Sequence, residues 1–201
     1  MNYPAFFDKV KTIKTYDPLA HFLGAVEDGV IEYNYLDVVK AAGHSCATVA
    51  GAYMATAKAL EVLYTPEELP VRGNILVDFA MMENDGVTGV IGSVVSIITG
   101  AKGMGGFKGI AGNFSRNNLM QFGVSGLKGE IRFSRVDTGK SVEIIYNPAI
   151  APSPDTSSSL GAILSGQADR SKIQEFKDKW QSRVEEIIID HFDDDKQIKI
   201  V

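Results

Sequence analysis

The chain predicts an α+β fold, and three observations carry that prediction. Segments 47–63 and 87–98 are apolar at helical spacing, with a single strand-like run, 74–82, between them. Segments 130–136 and 141–146 alternate apolar and polar residues on either side of a turn, the pattern of an antiparallel hairpin. Helical patterns stand near both ends. Helix, strand, helix and then antiparallel strands is an α+β order; a doubly wound sheet would alternate strands and helices throughout.

In chain order, 3–28 reads as one or two short helices, with Asp17 as a cap and Pro18 in the first turn. Residues 29–34 read as a short strand or a turn. Residues 35–42 read as a helix with Leu36, Val39 and Ala42 on one side, and Gly43 breaks it. From Ala47 to Leu63 the residues are apolar on nearly every side, which predicts a buried helix ended by Pro66 and Pro70. Residues 74–82 form the expected central strand, leading into the acidic corner Glu83-Asn84-Asp85.

Val87, Val90, Ile91, Val94, Val95 and Ile98 then make a helical stripe. Glycines at 100, 103, 105, 106, 109 and 112 exclude a regular helix there and predict a loop. An irregular strand is expected near 107–110 and another within 113–122. Asp137-Thr138-Gly139-Lys140 is the hairpin turn between the two alternating segments. Residues 147–170, with three prolines and five serines, read as a surface connection. Ile173, Phe176, Trp180, Val184, Ile187, Ile188 and His191 give an amphipathic helix over 171–192, followed by a solvated Asp193–Asp195 tail. The whole is expected to be one domain: a core of about 36–147, an N-terminal helical extension 1–35, a linker 148–170 and the C-terminal helix.

The chain has 201 residues, 45% hydrophobic and 22% charged, as in an ordinary globular protein. A net charge of −5 argues against a general nucleic-acid binder, which needs a basic surface. The apolar runs are too short to span a bilayer, and Met1–Pro4 lacks the basic start of a signal peptide. One cysteine excludes an intramolecular disulfide framework and suits a reducing, cytoplasmic setting. No P-loop motif is complete: Thr138-Gly139-Lys140-Ser141 has the right ending, but Ser134 stands where the first glycine belongs.

The strongest chemical signal is Gly43-His44-Ser45-Cys46. A soft sulfur and an imidazole two residues apart can hold a transition metal, zinc above all, at the entrance of a buried helix. The plain alternative is a small buried cysteine beside a hydrogen-bonded histidine, and a Cys/His nucleophile pair is weaker because no orienting partner is visible. Glu83 and Asp85 are the candidate bases or added ligands, although the corner also suits a helix cap. Lys108, Arg116 and Arg135 are the candidates for holding an anionic group. His21 and His191 read as structural, and Trp180 as core or dimer packing.

These stretches resemble the FmdE-like family, which is named for a component of formylmethanofuran dehydrogenase. The resemblance runs over about 36–147 and rests on Gly43-His44-Ser45-Cys46, Glu83-Asn84-Asp85, Thr99-Gly100 and Arg132–Val142. It implies an α-β-α-β-β-β core, zinc or another divalent transition metal held by His44 and Cys46, and a homodimer. It implies an accessory or small-molecule-binding role in one-carbon or molybdenum/tungsten enzyme metabolism, with dehydrogenase subunits as partners. A stand-alone zinc enzyme acting on a small anion and a metal-free assembly module are the alternatives. The chain departs from the family at Ala42, where a further histidine is common, and at Gly86–Thr88, where a cysteine is common. It corresponds to a variant without the family's C-terminal zinc ribbon.

Overall fold

A computed structural model describes residues 2–201, the side chain of Ser158 excepted. The fold is α+β. Strands β1 (Ile13–Tyr16) and β2 (Val30–Tyr33) make an antiparallel pair flanking the short helix α1 (Pro18–Phe22). Helices α2 (Tyr35–Ala42) and α3 (Ala47–Leu63) follow, then β3 (Ile75–Phe79) and α4 (Thr88–Thr99). Next come the two-residue strand β4 (Met120–Gln121) and the hairpin β5 (Ile131–Arg135) and β6 (Ser141–Tyr146). Helices α5 (Ser157–Leu164) and α6 (Arg170–Glu185) precede β7 (Ile198–Ile200).

The main sheet has the order β4-β3-β5-β6-β7, parallel between β3 and β4 and antiparallel elsewhere. Its helical layer lies on one face. Ile75, Val77 and Phe79 of β3, Ile131 and Phe133 of β5, and Val142 and Ile144 of β6 all turn to that face and are buried. The intervening residues carry polar groups on the other face, where Arg132 pairs with its cross-strand neighbour Asp78 at 2.6 Å. Helix α3 runs through the middle of the core, against α4 and the β5–β7 side of the sheet. Most of its side chains are buried, Glu61 near its end being exposed, which is why its sequence is apolar on nearly every side.

The expectations for α2, α3, β3, α4 and the β5–β6 hairpin match these elements, and residues 29–34 contain a strand. Five expectations need correcting. Residues 13–16 are a strand and not helix, because Ile13 and Thr15 face inward and pair with β2. The irregular strand near 107–110 reduces to one bridge between Ile110 and Asn113, and the strand within 113–122 to Met120–Gln121, since positive backbone φ at Ala111, Phe114 and Asn118 breaks the extended chain. The connection 147–170 includes α5. Finally, the C-terminal helix changes to a π turn at Glu186–Asp190, and the chain beyond it returns as β7 with Ile198 buried. No helix among the described residues is long and apolar enough to cross a membrane.

Candidate functional site

Helix α2 starts at a capping box: Asn34 accepts from the Asp37 N–H, and Asp37 accepts from the Asn34 N–H. It ends at Gly43, whose φ of +76° closes the helix in the left-handed region that glycine occupies at least cost. His44, Ser45 and Cys46 form the turn into α3, with Cys46 as the N-cap. The exposed His44 ring has its Nδ1 3.0 Å from the Ala42 carbonyl. A carbonyl only accepts, so Nδ1 carries a proton, and in the neutral ring the lone pair is then on Nε2. Cys46 is a half-buried free thiol.

The turn is held from two sides. The Ser45 hydroxyl bonds with the hydroxyl of buried Tyr35 at 3.0 Å. From α6, Trp180 Nε1 and Gln181 Nε2 both donate to the Ser45 carbonyl, at 3.0 and 3.2 Å. Trp180 is therefore not core: it is 40% exposed and braces the His44–Cys46 turn. Nothing in the spacing of 45 and 180 signals that contact.

Immediately after Cys46, the first residues of α3 form one wall of a 410 Å³ cavity. Gly86, Val87 and Thr88, which directly follow the acidic corner, also line it. His44 and Ser45 face a different groove, with Trp180 and Gln181, so the two motifs border this cavity in sequence only. Tyr146 and Arg183 also line it. The Tyr146 ring lies against Gly51, where a Cβ would come within 2.3 Å of the ring, and its hydroxyl donates to the Ala47 carbonyl at 2.8 Å. Burial pushes the Tyr146 phenol well above its ordinary range, so it acts there as a donor.

The acidic candidates sit outside this cavity. Asp85 Oδ2 accepts from the Met82 N–H at 3.2 Å, closing the corner, and Glu83 is exposed beside it. Among the described residues, no group of three or more His, Cys, Asp or Glu side chains is placed to hold a metal ion.

The basic candidates are not brought together. Lys108 is exposed on the glycine-rich loop. Arg135 pairs with Asp137 at 2.7 Å and Glu68 at 3.0 Å and lies over the Tyr64 ring, and its hydrogen bond holds Asp137 down at about 2. Arg116 is buried, donating to Asp17 Oδ1 at 2.6 Å. Asp17 also pairs with Arg72, whose Nε and Nη2 donate to the Ile98 and Ile97 carbonyls at the end of α4. These carbonyls carry the negative end of the helix dipole, so they help Asp17 to balance two guanidinium groups. Gly73 and Gly100 leave the room that Arg116 occupies.

His21 bonds with Tyr16 and His191 with Asp194, as structural histidines do. Comparison of the chain with protein-family models, with curated proteins and with solved structures found no match.

Proposed function

We propose that the chain is an FmdE-like metal-binding protein, cytoplasmic and homodimeric, with His44 and Cys46 as two ligands of zinc or another divalent transition ion. Its role is accessory or small-molecule-binding, linked to one-carbon or molybdenum/tungsten enzyme metabolism, with dehydrogenase subunits as partners. The observation that carries the reading is the His44 ring. Its Nδ1–H is committed to the Ala42 carbonyl, so Nε2 is the free donor, the arrangement that a metal-ligating imidazole needs. The half-buried free thiol of Cys46 two residues on supplies the soft ligand. The chain order α3-β3-α4-β4-β5-β6 also supports it, being the α-β-α-β-β-β order that the resemblance implies.

A thiolate and an imidazole fit zinc in type but fall short in number, since zinc sites take three or four protein ligands. Water, a small molecule in the groove that His44 lines or a side chain of a second copy would fill the remaining positions. The metal would supply Lewis acidity at those open positions. Glu83 and Asp85, at the corner before α4, are the carboxylates to test as bases.

Elemental analysis tests the proposal. Protein purified without chelator is expected to carry stoichiometric metal, and His44→Ala and Cys46→Ser to lose it. Metal-free wild type would overturn the reading and favour the assembly module. Equal metal in all three proteins would put the site elsewhere.

A further inference from the structure

The 410 Å³ cavity between α3, α4 and the end of β6 falls within the size range of small-molecule sites. It exists because α3 presents only Ala47, Thr48, Gly51, Ala52 and Ala55 to it, none larger than threonine. Phe79, Ile91 and Ile131 make the rest of its interior apolar. It opens past Met81 and Val87, both more than half exposed.

One fixed cation faces this apolar space. Arg183 of α6 donates from Nε to the Ala151 carbonyl at 2.8 Å and from Nη2 to the Pro148 carbonyl at 3.2 Å. Among the described residues its partners are backbone carbonyls and not a carboxylate, so its charge is oriented but not neutralised. Its charge is felt at Tyr146, on the same wall, where it pulls the phenol down against the larger effect of burial. Glu130, the carboxylate on the lining, accepts from the Tyr146 N–H at 3.0 Å.

We infer that this cavity binds a small monocarboxylic acid with an apolar body, its carboxylate on Arg183 and its body between α3 and α4. An apolar ligand without a charge would strip water from Arg183 and give nothing back. An anion replaces that water with a charge-assisted bond, and a guanidinium prefers a carboxylate geometrically. The inference deepens the small-molecule part of the proposed function but does not rest on the metal.

The test uses two fluorescent probes with nearly the same body, anilinonaphthalene sulfonate, which is anionic, and phenylnaphthylamine, which is neutral. Both are titrated into the full chain with a chelator present, so that failure here and failure of the metal reading are separate results. The expected result is saturable binding of the anion at one site. Arg183→Met should weaken it about tenfold or more while leaving the neutral probe unchanged. Thr48→Trp, which fills the cavity from α3, should abolish both.

On unmodified protein, nonanoate should displace the anionic probe at a lower concentration than nonanol, which keeps the test valid if a variant does not fold. No saturable binding, full binding to a folded Thr48→Trp protein, or equal displacement by acid and alcohol would overturn the inference.

Discussion

Asp17 shows how much one side chain can be asked to do. Its carboxylate caps α1 through the Leu19 and Ala20 N–H groups and also meets Arg72 and Arg116. The sequence marks only the first role, because Asp17-Pro18 is a local signal and the arginines lie 55 and 99 residues away. Burial raises its pKa, but the Ala20 N–H and the charges of Arg116 and Arg72 outweigh burial and hold it below the ordinary carboxylate value. A lowered folded pKa means that the stabilisation is present above the unfolded pKa, near about 4, and is lost as pH falls through the folded value. Asp17→Asn is therefore expected to cost about 3 kcal/mol or more near neutral pH, since it leaves the buried Arg116 and the partly buried Arg72 without their anion. The gap between variant and wild type should close in acid, where Asp17 is itself protonated. Urea unfolding across the acid range measures this, and a gap that stays constant with pH would refute the assignment.

At the scale of elements, what was legible had a period long enough to read. Helix α3 shows over four turns that it has no polar side, and β5 and β6 alternate around Asp137–Lys140, so their register follows. Strands β1 and β7 have four and three residues, too few for a period, and they are strands because β2 and β6 offer an open edge. The site divides in the same way. His44 and Cys46 were legible as neighbours in sequence, whereas Trp180, Gln181 and Arg183 reach the turn and the cavity only through the docking of α6.

Strand β7 gives this a test. Ile198 is fully buried against the core and Ile200 is 42% exposed. Ile198→Ala should cost about 2–4 kcal/mol, a fall in Tm of roughly 8 °C for a chain of this size. Ile200→Ala should change Tm little. Equal, small effects of both would show that β7 is not part of the cooperative fold.

At the scale of the whole molecule, the exposed apolar residues concentrate away from the cavity as well as on its rim. The glycine-rich loop presents Met104, 87% exposed, with Phe107 and Ile110, and Phe114, just after it, packs tilted against Phe22 of α1 with ring centroids 5.0 Å apart. Leu23, 62% exposed, follows Phe22. Large exposed apolar side chains of this kind are the surface through which the proposed dimer would form, a closed pair of identical patches being the commonest solution for copies of one chain. Light scattering is expected to give the mass of a dimer for the wild type. Paired Met104→Glu and Phe107→Glu substitutions should give a monomer with an unchanged circular dichroism spectrum. Met81→Glu, on the cavity rim, should leave the dimer intact. Monomeric wild type at high protein concentration, or a dimer indifferent to the paired substitutions, would refute this surface. The same variant also bears on the ligands that complete the proposed metal site. One chain brings only His44 and Cys46 to the turn, so metal retained by the monomer would assign the remaining positions to water or a small molecule. Metal lost with the dimer would assign at least one of them to the second copy.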